Sequence, residues 1–180
     1  MVPIEVVVRN VAAGDFAKRF NLKDGSPLPR PLDEFFMKND ELNDPWVTED
    51  HIFAFGLSNP YELEEMMNLA WRVNDYLVGL MGGVGLRLVD LKLEFGRLWG
   101  DYENMYLMLA DEISPDTMRL WDEKTGDKLD KDRFREDLGG VGEAYQTVAD
   151  RLGLLPKGPI ILDGGTVDEA AAEHLGKIEN

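Results

Sequence analysis

The sequence predicts an α+β fold: an antiparallel sheet backed by a helix over residues 60–81 and by a C-terminal helix. Three observations carry that prediction. β-Branched residues crowd the first ten positions, apolar residues recur at intervals of three and four from Leu63 to Leu80, and apolar and charged residues alternate through "RLVDLKLEFG". At 180 residues the chain is the size of one domain with trimmings.

In "VPIEVVVRN" the β-branched cluster between Val2 and Val8 predicts a strand that ends at the polar pair Arg9-Asn10. "AAGDFAKRF" reads as a short helical patch, the Pro-rich "DGSPLPRPLDEFF" as an extended or turning connection, and "MKNDELNDPWVTEDH" as polar loop. Ser58 is a candidate N-cap, Pro60 suits a first helical turn, and Glu62, Glu64 and Glu65 favour the positive end of a helix dipole. Leu63, Met66, Met67, Ala70, Val73, Leu77 and Leu80 then form a core-facing stripe, its methionines read as core filler, and Gly82-Gly83 ends it. Two strands, over 84–96 and 104–111, form a hairpin through a Gly-containing turn around "RLWGDYEN". A last helix is predicted from Asp130, with Phe134, Leu138, Val141, Tyr145, Val148 and Leu152 on one face. Gly139, Gly140 and Gly142 interrupt it as packing points or a kink. Composition loosens after "RLGLLPKGP", so residues 1–155 form the predicted domain and 156–180 a peripheral tail with a short Thr166-capped, Ala-rich helix.

The net charge of −16 is spread along the chain, which makes nucleic acid and anionic membranes poor partners. A small anionic ligand would have to be caught by a local cluster of Lys and Arg working against that field. With no cysteine and only His51 and His174, disulfides, thiolate catalysis and Cys- or His-rich metal sites are excluded, and any metal would be a hard ion on carboxylates. No apolar run approaches the roughly 20 residues that cross a bilayer, and "MVPIEVVVRN" lacks the features of a signal peptide, so the expectation is a cytoplasmic protein.

The most informative stretch is "RLVDLKLEFG". Strand alternation predicts Val89, Leu91, Leu93 and Phe95 on one face and Asp90, Lys92 and Glu94 on the other. An isolated buried charge costs several kcal/mol unless paired or holding an ion. One reading is a half-exposed strand with cross-strand ion pairs. The other is a ligand site, because "MYLMLADEISPDTMRLWD" ends an apolar run in Asp111-Glu112 and then places Ser114, Asp116 and Arg119 in a turn. A register with residue 90 opposite 111 would add Asp111 to the patch, and a slip of one residue would remove it. Carboxylates converging beside a lysine suit a Mg-nucleotide site, since Mg²⁺ takes one or two carboxylates plus phosphate oxygens.

"VPIEVVVRNVAAG", "LVDLKLEFG", "LADEISPDTMRLWD" and "DKDRFREDLGGVGEAYQ", in that order, resemble the SAICAR synthetase (phosphoribosylaminoimidazole-succinocarboxamide synthase) family of purine biosynthesis over residues 2–153. The resemblance implies the C-terminal, ribotide- and metal-binding lobe of an ATP-dependent ligase that activates the carboxylate of carboxyaminoimidazole ribotide for attack by aspartate. It implies Glu94 and Asp111 as ligands of Mg²⁺ and ATP phosphates, and Asp90 and Lys92 as the catalytic pair at the imidazole amine and carboxylate. Arg9 and Arg119 would grip the ribotide phosphate, with Lys38, Asp44, Asp116, Lys131 and Arg135 lining the substrate pocket.

Two departures stand against the family pattern. The family's serine after Ala-Ala-Gly, which contacts the ribotide phosphate, is Asp15 here; either the substrate sits differently, Asp15 points away, or binding is impaired. The family's N-terminal ATP-binding lobe is expected ahead of "VPIEVVVRN", which leaves a fragment, half of a split enzyme completed by a homo-oligomer or a second chain, or a non-catalytic ribotide-binding or interaction subunit.

Overall fold

The computed structural model describes residues 1–100, 105–154, 161–162 and 165–166. In chain order the elements are β1 (Ile4–Val11), α1 (Gly14–Arg19), β2 (Pro27–Met37), a 3-10 turn (Asp40–Leu42), β3 (Trp46–Val47), α2 (Glu49–Ala54), α3 (Pro60–Gly83), β4 (Leu86–Trp99), β5 (Met105–Ala110), β6 (Met118–Asp122), α4 (Asp132–Arg135), α5 (Val141–Arg151), β7 (Ile161–Leu162) and β8 (Gly165–Thr166). The main sheet runs β3-β2-β1-β4-β5, with β6 also on β4, and its pairings are antiparallel. β6 covers the first half of β4, from Leu86 to Leu91, and β5 the second, from Glu94 to Trp99.

One sheet face is the core. Ile4, Val6 and Val8 of β1, Leu91, Leu93 and Phe95 of β4, and Met118 and Leu120 of β6 pack in one cluster with Leu63, Met66, Ala70 and Leu77 of α3. Burying each such side chain stabilises by about 1.5–3 kcal/mol, so the periodicities legible in the sequence are the ones that hold the sheet to its long helix. α5 adds Ala144 and Val148 to the same cluster.

The departures from expectation have local causes. The first strand runs on through Arg9-Asn10 to Val11, because both polar side chains find partners inside the fold. The Pro-rich connection is the 11-residue β2; between Pro27 and Pro31 it has β1 on one side and no strand on the other, an edge position where a missing N–H is tolerated. The loop after it contains the 3-10 turn, β3 and α2. α3 is capped by Asn59, not Ser58, because Pro60 fixes the first helical position; Asn59 accepts from the Glu62 N–H at 3.0 Å and Ser58 donates to the Glu62 carboxylate at 2.9 Å. Near its end Met81 is buried where Leu80 was expected, one residue of drift at 3.6 per turn.

β4 carries a bulge between Leu88 and Asp90, so Val89 leaves the face of Leu91 and packs with Val11, Ala13 and Trp121. The stretch around Arg119, expected as a turn, is β6. The single last helix is two, α4 and α5, separated where Gly139 and Gly140 both take φ near +65° (65° and 63°), which leaves Phe134 73% exposed and off the predicted stripe. Most of the 156–180 tail, including its expected helix, lies outside the described residues, within which Ile161–Leu162 pairs with Gly165–Thr166. Among the described residues no helix is long and apolar enough to cross a membrane.

Candidate functional site

The sheet's second face is built by register. Antiparallel pairing of β1 with β4 sets Glu5 opposite Glu94, Val7 opposite Lys92 and Arg9 opposite Asp90, while the intervening Val6–Leu93 and Val8–Leu91 pairs enter the core. On the other side of β4, Asp90 faces Arg119 of β6.

These neighbours form a ladder in which carboxylates alternate with guanidiniums. Arg9 donates from Nε to Glu34 at 2.5 Å and from Nη1 to Asp90 at 2.8 Å. Arg119 donates from Nη1 to the same Asp90 oxygen at 2.8 Å and from Nε to Asp132 at 2.6 Å, and Asp132 also takes Arg135 at 2.7 Å. At the far end Arg19 bonds the second oxygen of Glu34. Burial opposes the Arg119 charge, but the Asp90 charge and the Asp132 hydrogen bond more than offset it and raise its pKa. Burial pushes Asp132 up, yet Arg119 and Arg135 win and hold it below the usual carboxylate range. The Nη2 atoms of Arg9 and Arg119 donate to none of the described residues.

Gly14 lets the ladder reach the chain. Its φ is +55°, and a Cβ there would lie 2.9 Å from the Arg119 Nη2. A side chain would displace the guanidinium. Behind the ladder, buried Asp130 accepts the N–H groups of Leu120 and Asp132, both at 2.8 Å, and so braces β6 against α4. Burial lifts its pKa to about 6 despite those hydrogen bonds.

Beside the ladder is a looser, lysine-based cluster. Lys92 donates to Glu5 at 2.9 Å and to Glu94 at 3.0 Å, and Lys38 bonds the other Glu94 oxygen. Burial disfavours both charged forms, but the pairing outweighs it, raising Lys92 and lowering Glu94. Asp111 follows directly on Ala110, the residue paired with Glu94, and holds φ +71°. Hydrogen bonding to the Glu112 side chain and backbone N–H depresses its pKa, with the Lys92 and Lys38 charges adding. The observed register therefore sets 94 against 110, not 90 against 111; Asp111 joins Glu94 and the lysines from the end of β5, while Asp90 belongs to the arginines.

A cavity of about 430 Å³ opens over this face, lined by Arg9, Asp90, Lys92, Asp44, Asp116, Arg119, Lys131 and Arg135 of the predicted residues. Lys38, Glu94 and Asp111 sit outside its wall and reach it through Lys92. Asp44 caps the Asn39 N–H at 2.7 Å, and Asp116 takes the Tyr145 hydroxyl at 2.7 Å and lies 3.8 Å from Lys131. Asp15 lines the cavity, yet its carboxylate is 97% exposed and bonded to Lys18 at 3.1 Å. Glu5, Arg19, Glu34 and Asp132 went unpredicted. Period two along "IEVVVRN" was a signal for Glu5, and the i,i+3 spacing to Arg135 one for Asp132; Arg19 and Glu34 depend on partners distant in sequence. Among the described residues no three His, Cys, Asp or Glu side chains converge as a metal cage. Glu94, whose oxygens are on Lys38 and Lys92, and Asp111, one residue beyond the Glu94 cross-strand partner, are carboxylates, the donor type that a hard cation sharing its shell with phosphate oxygens takes.

A family model for SAICAR synthetase matches residues 1–152. The phosphoribosylaminoimidazole-succinocarboxamide synthase of Rhodospirillum centenum is 63% identical over 157 residues, which are 87% of this chain and 61% of that protein. The crystal structure of the Ehrlichia chaffeensis synthase superposes with a TM-score of 0.82 at 52% identity, over 87% of this chain and 65% of that one. A SAICAR synthetase in complex with ADP superposes at 0.78 and 44% identity, again over 87% and 65%. This chain thus spans less than two thirds of the length of these relatives. On the family match, these identities and the shared sheet, the chain belongs to the SAICAR synthetase family.

Proposed function

We propose that residues 1–155 are the ribotide- and metal-binding lobe of an ATP-dependent carbon–nitrogen ligase that joins aspartate to carboxyaminoimidazole ribotide, giving SAICAR, ADP and phosphate. The observation that carries this reading is the division of one cavity wall between a guanidinium ladder and the Lys92 ammonium. Arg9 and Arg119, each with an uncommitted Nη2, suit the phosphate of the ribotide. Lys92 and Asp90 would face the imidazole, the lysine stabilising charge on its carboxylate and the aspartate accepting from its amine. Asp44, Asp116, Lys131 and Arg135 would line the rest of the substrate.

In the reaction the ribotide carboxylate attacks the γ-phosphoryl group of ATP and ADP leaves; the aspartate amine then attacks the acyl carbon, expels phosphate and loses a proton. Glu94 and Asp111 would hold Mg²⁺, which when bound neutralises charge on the transferring phosphoryl group. Lys38, already on Glu94, sits where it can add positive charge near the same oxygens. An ATP-binding lobe, in the same protein, in a homo-oligomer or in a paired chain, would bring nucleotide to this edge of the sheet.

Calorimetry with carboxyaminoimidazole ribotide and chromatographic detection of SAICAR, with ATP, Mg²⁺ and aspartate present, test the proposal. The expected result is ribotide binding, with Asp111→Asn abolishing product formation but not binding. Absence of ribotide binding would sink it; binding without turnover in the protein supplied with an ATP lobe would favour a non-catalytic subunit.

A further inference from the structure

A second, smaller cavity of about 260 Å³ is lined by Arg9, Asp15, Phe16, Arg19, Phe36 and Arg119. Three of these are guanidiniums in a chain of net charge −16, and each keeps donors beyond those its carboxylate partners take. Arg9 and Arg119 are accounted for by the ligand phosphate. Arg19 closes α1, an element that the family motif reaches only at Gly14 and position 15.

The guanidinium of Arg19 is held from several directions. Its Nη2 bonds one oxygen of Glu34, whose other oxygen accepts from Arg9 Nε at 2.5 Å. Glu34 is 6% exposed and lines neither cavity, so its two oxygens serve to set two arginines relative to each other. The rings of Phe20, Trp46 and Phe16 lie 5.2, 5.6 and 5.8 Å from the Arg19 guanidinium carbon, and cation–π attraction to them fixes the group further. Nε and Nη1 of Arg19 donate to none of the described residues. The carboxylate of Asp15, on the same cavity, is bonded to Lys18 at 3.1 Å and exposed to water.

We infer that Arg19 is a third phosphate-binding guanidinium, positioned by Glu34, that supplies the donors lost where the family serine is replaced by Asp15. This rests on the ribotide reading above. The ligand chemistry is a phosphate monoester dianion, held by Arg9, Arg119 and Arg19 around the small cavity, with Glu34 acting through the arginines as a positioning residue. A merely structural Arg19 would tie α1 to β2 and nothing more, and its loss would not distinguish a phosphorylated ligand from an unphosphorylated one.

Isothermal titration of the 180-residue chain with carboxyaminoimidazole ribotide, and with the matching ribonucleoside lacking the phosphate, separates the two. Arg19→Ala is expected to weaken ribotide binding by about 10- to 100-fold and to leave nucleoside binding as in the wild type. Arg19→Lys, which keeps the charge but not the fork, should fall between, and Glu34→Gln should weaken the ribotide selectively as well. Circular dichroism of each variant checks that it is folded. Wild-type ribotide affinity in Arg19→Ala, or an equal loss for both ligands, overturns the inference while leaving the ribotide reading intact. A wild-type chain that does not prefer the ribotide to the nucleoside overturns both.

Discussion

The arginine ladder and the lysine cluster share a strand and differ in almost everything else. At the ladder's centre Arg9 has a side chain 8% exposed, and each carboxylate it uses is bonded to a second guanidinium. Lys92 is 33% exposed, and both of its partners are glutamates on the same sheet face. A guanidinium offers a planar fork and cannot deprotonate, so a buried alternation of forks and carboxylates is a fixed lattice. An ammonium is a point charge on a flexible stem and can change partners. The ladder is thus the rigid part of this face and the cluster the part that can rearrange, a division that suits the holding and charge-moving roles proposed for them.

The largest effect should come from the ladder. Asp90→Ala leaves the guanidiniums of Arg9 and Arg119 facing each other without their shared carboxylate, and should cost about 3–5 kcal/mol in urea unfolding. A cost near zero would mean the lattice is not fixed. Lys92→Ala is the counterpart: product formation should fall about 100-fold or more, while unfolding free energy changes by about 1 kcal/mol or less. If stability falls as far as for Asp90→Ala, the contrast between the two clusters is lost.

A pH series sharpens the comparison further. Asp130 braces the ladder, and its folded pKa of about 6 lies above its ordinary 3.8. Between those values the folded state binds the extra proton, so this group's contribution to stability is present below pH ~4 and declines as pH rises through about 6. Asp130→Asn should remove that slope, by about 3 kcal/mol, when wild type and variant are unfolded in urea at intervals across the range. The smallest effect is expected at the exposed Asp15–Lys18 pair. Asp15→Ser should change stability by about 0.5 kcal/mol or less and tighten ribotide binding about two- to threefold by removing a weak repulsion. Weaker binding in this variant would show that Asp15 does not repel the phosphate.

What could be read from the sequence was whatever repeats locally. The α3 stripe from Leu63 to Leu77 and the alternation from Asp90 to Phe95 stand as expected because their periods match the elements that bury them. Interrupted periods misled: the apolar spacing of Phe134 and Leu138 continues into Tyr145 and Val148, but Gly139 and Gly140 turn the chain between them. Pro27, Pro29 and Pro31 hid β2, since an edge strand tolerates what a central one does not. The candidate site residues came chiefly from the family motifs, which also hold Glu5 and Asp132 without marking them, and Glu34 lies outside every motif. Its role comes from two arginines, one on β1 and one on α1, that only the folded sheet brings to it.

The bulge at Val89 bears on how this strand can change over time. It shifts the phase by one residue, so that Leu86 and Leu88 before it and Leu91, Leu93 and Phe95 after it all enter one core although Asp90, Lys92 and Glu94 stand on the opposite side. Replacing Val89 by another residue of similar bulk leaves that phase alone. Adding or deleting one residue here would transpose core and charge along one half of β4 relative to the other, with Asp90, Lys92 and Glu94 all beyond the join and Leu86 and Leu88 before it. The strand is therefore more permissive in composition than in length, and insertions or deletions should be found in the loops that flank it.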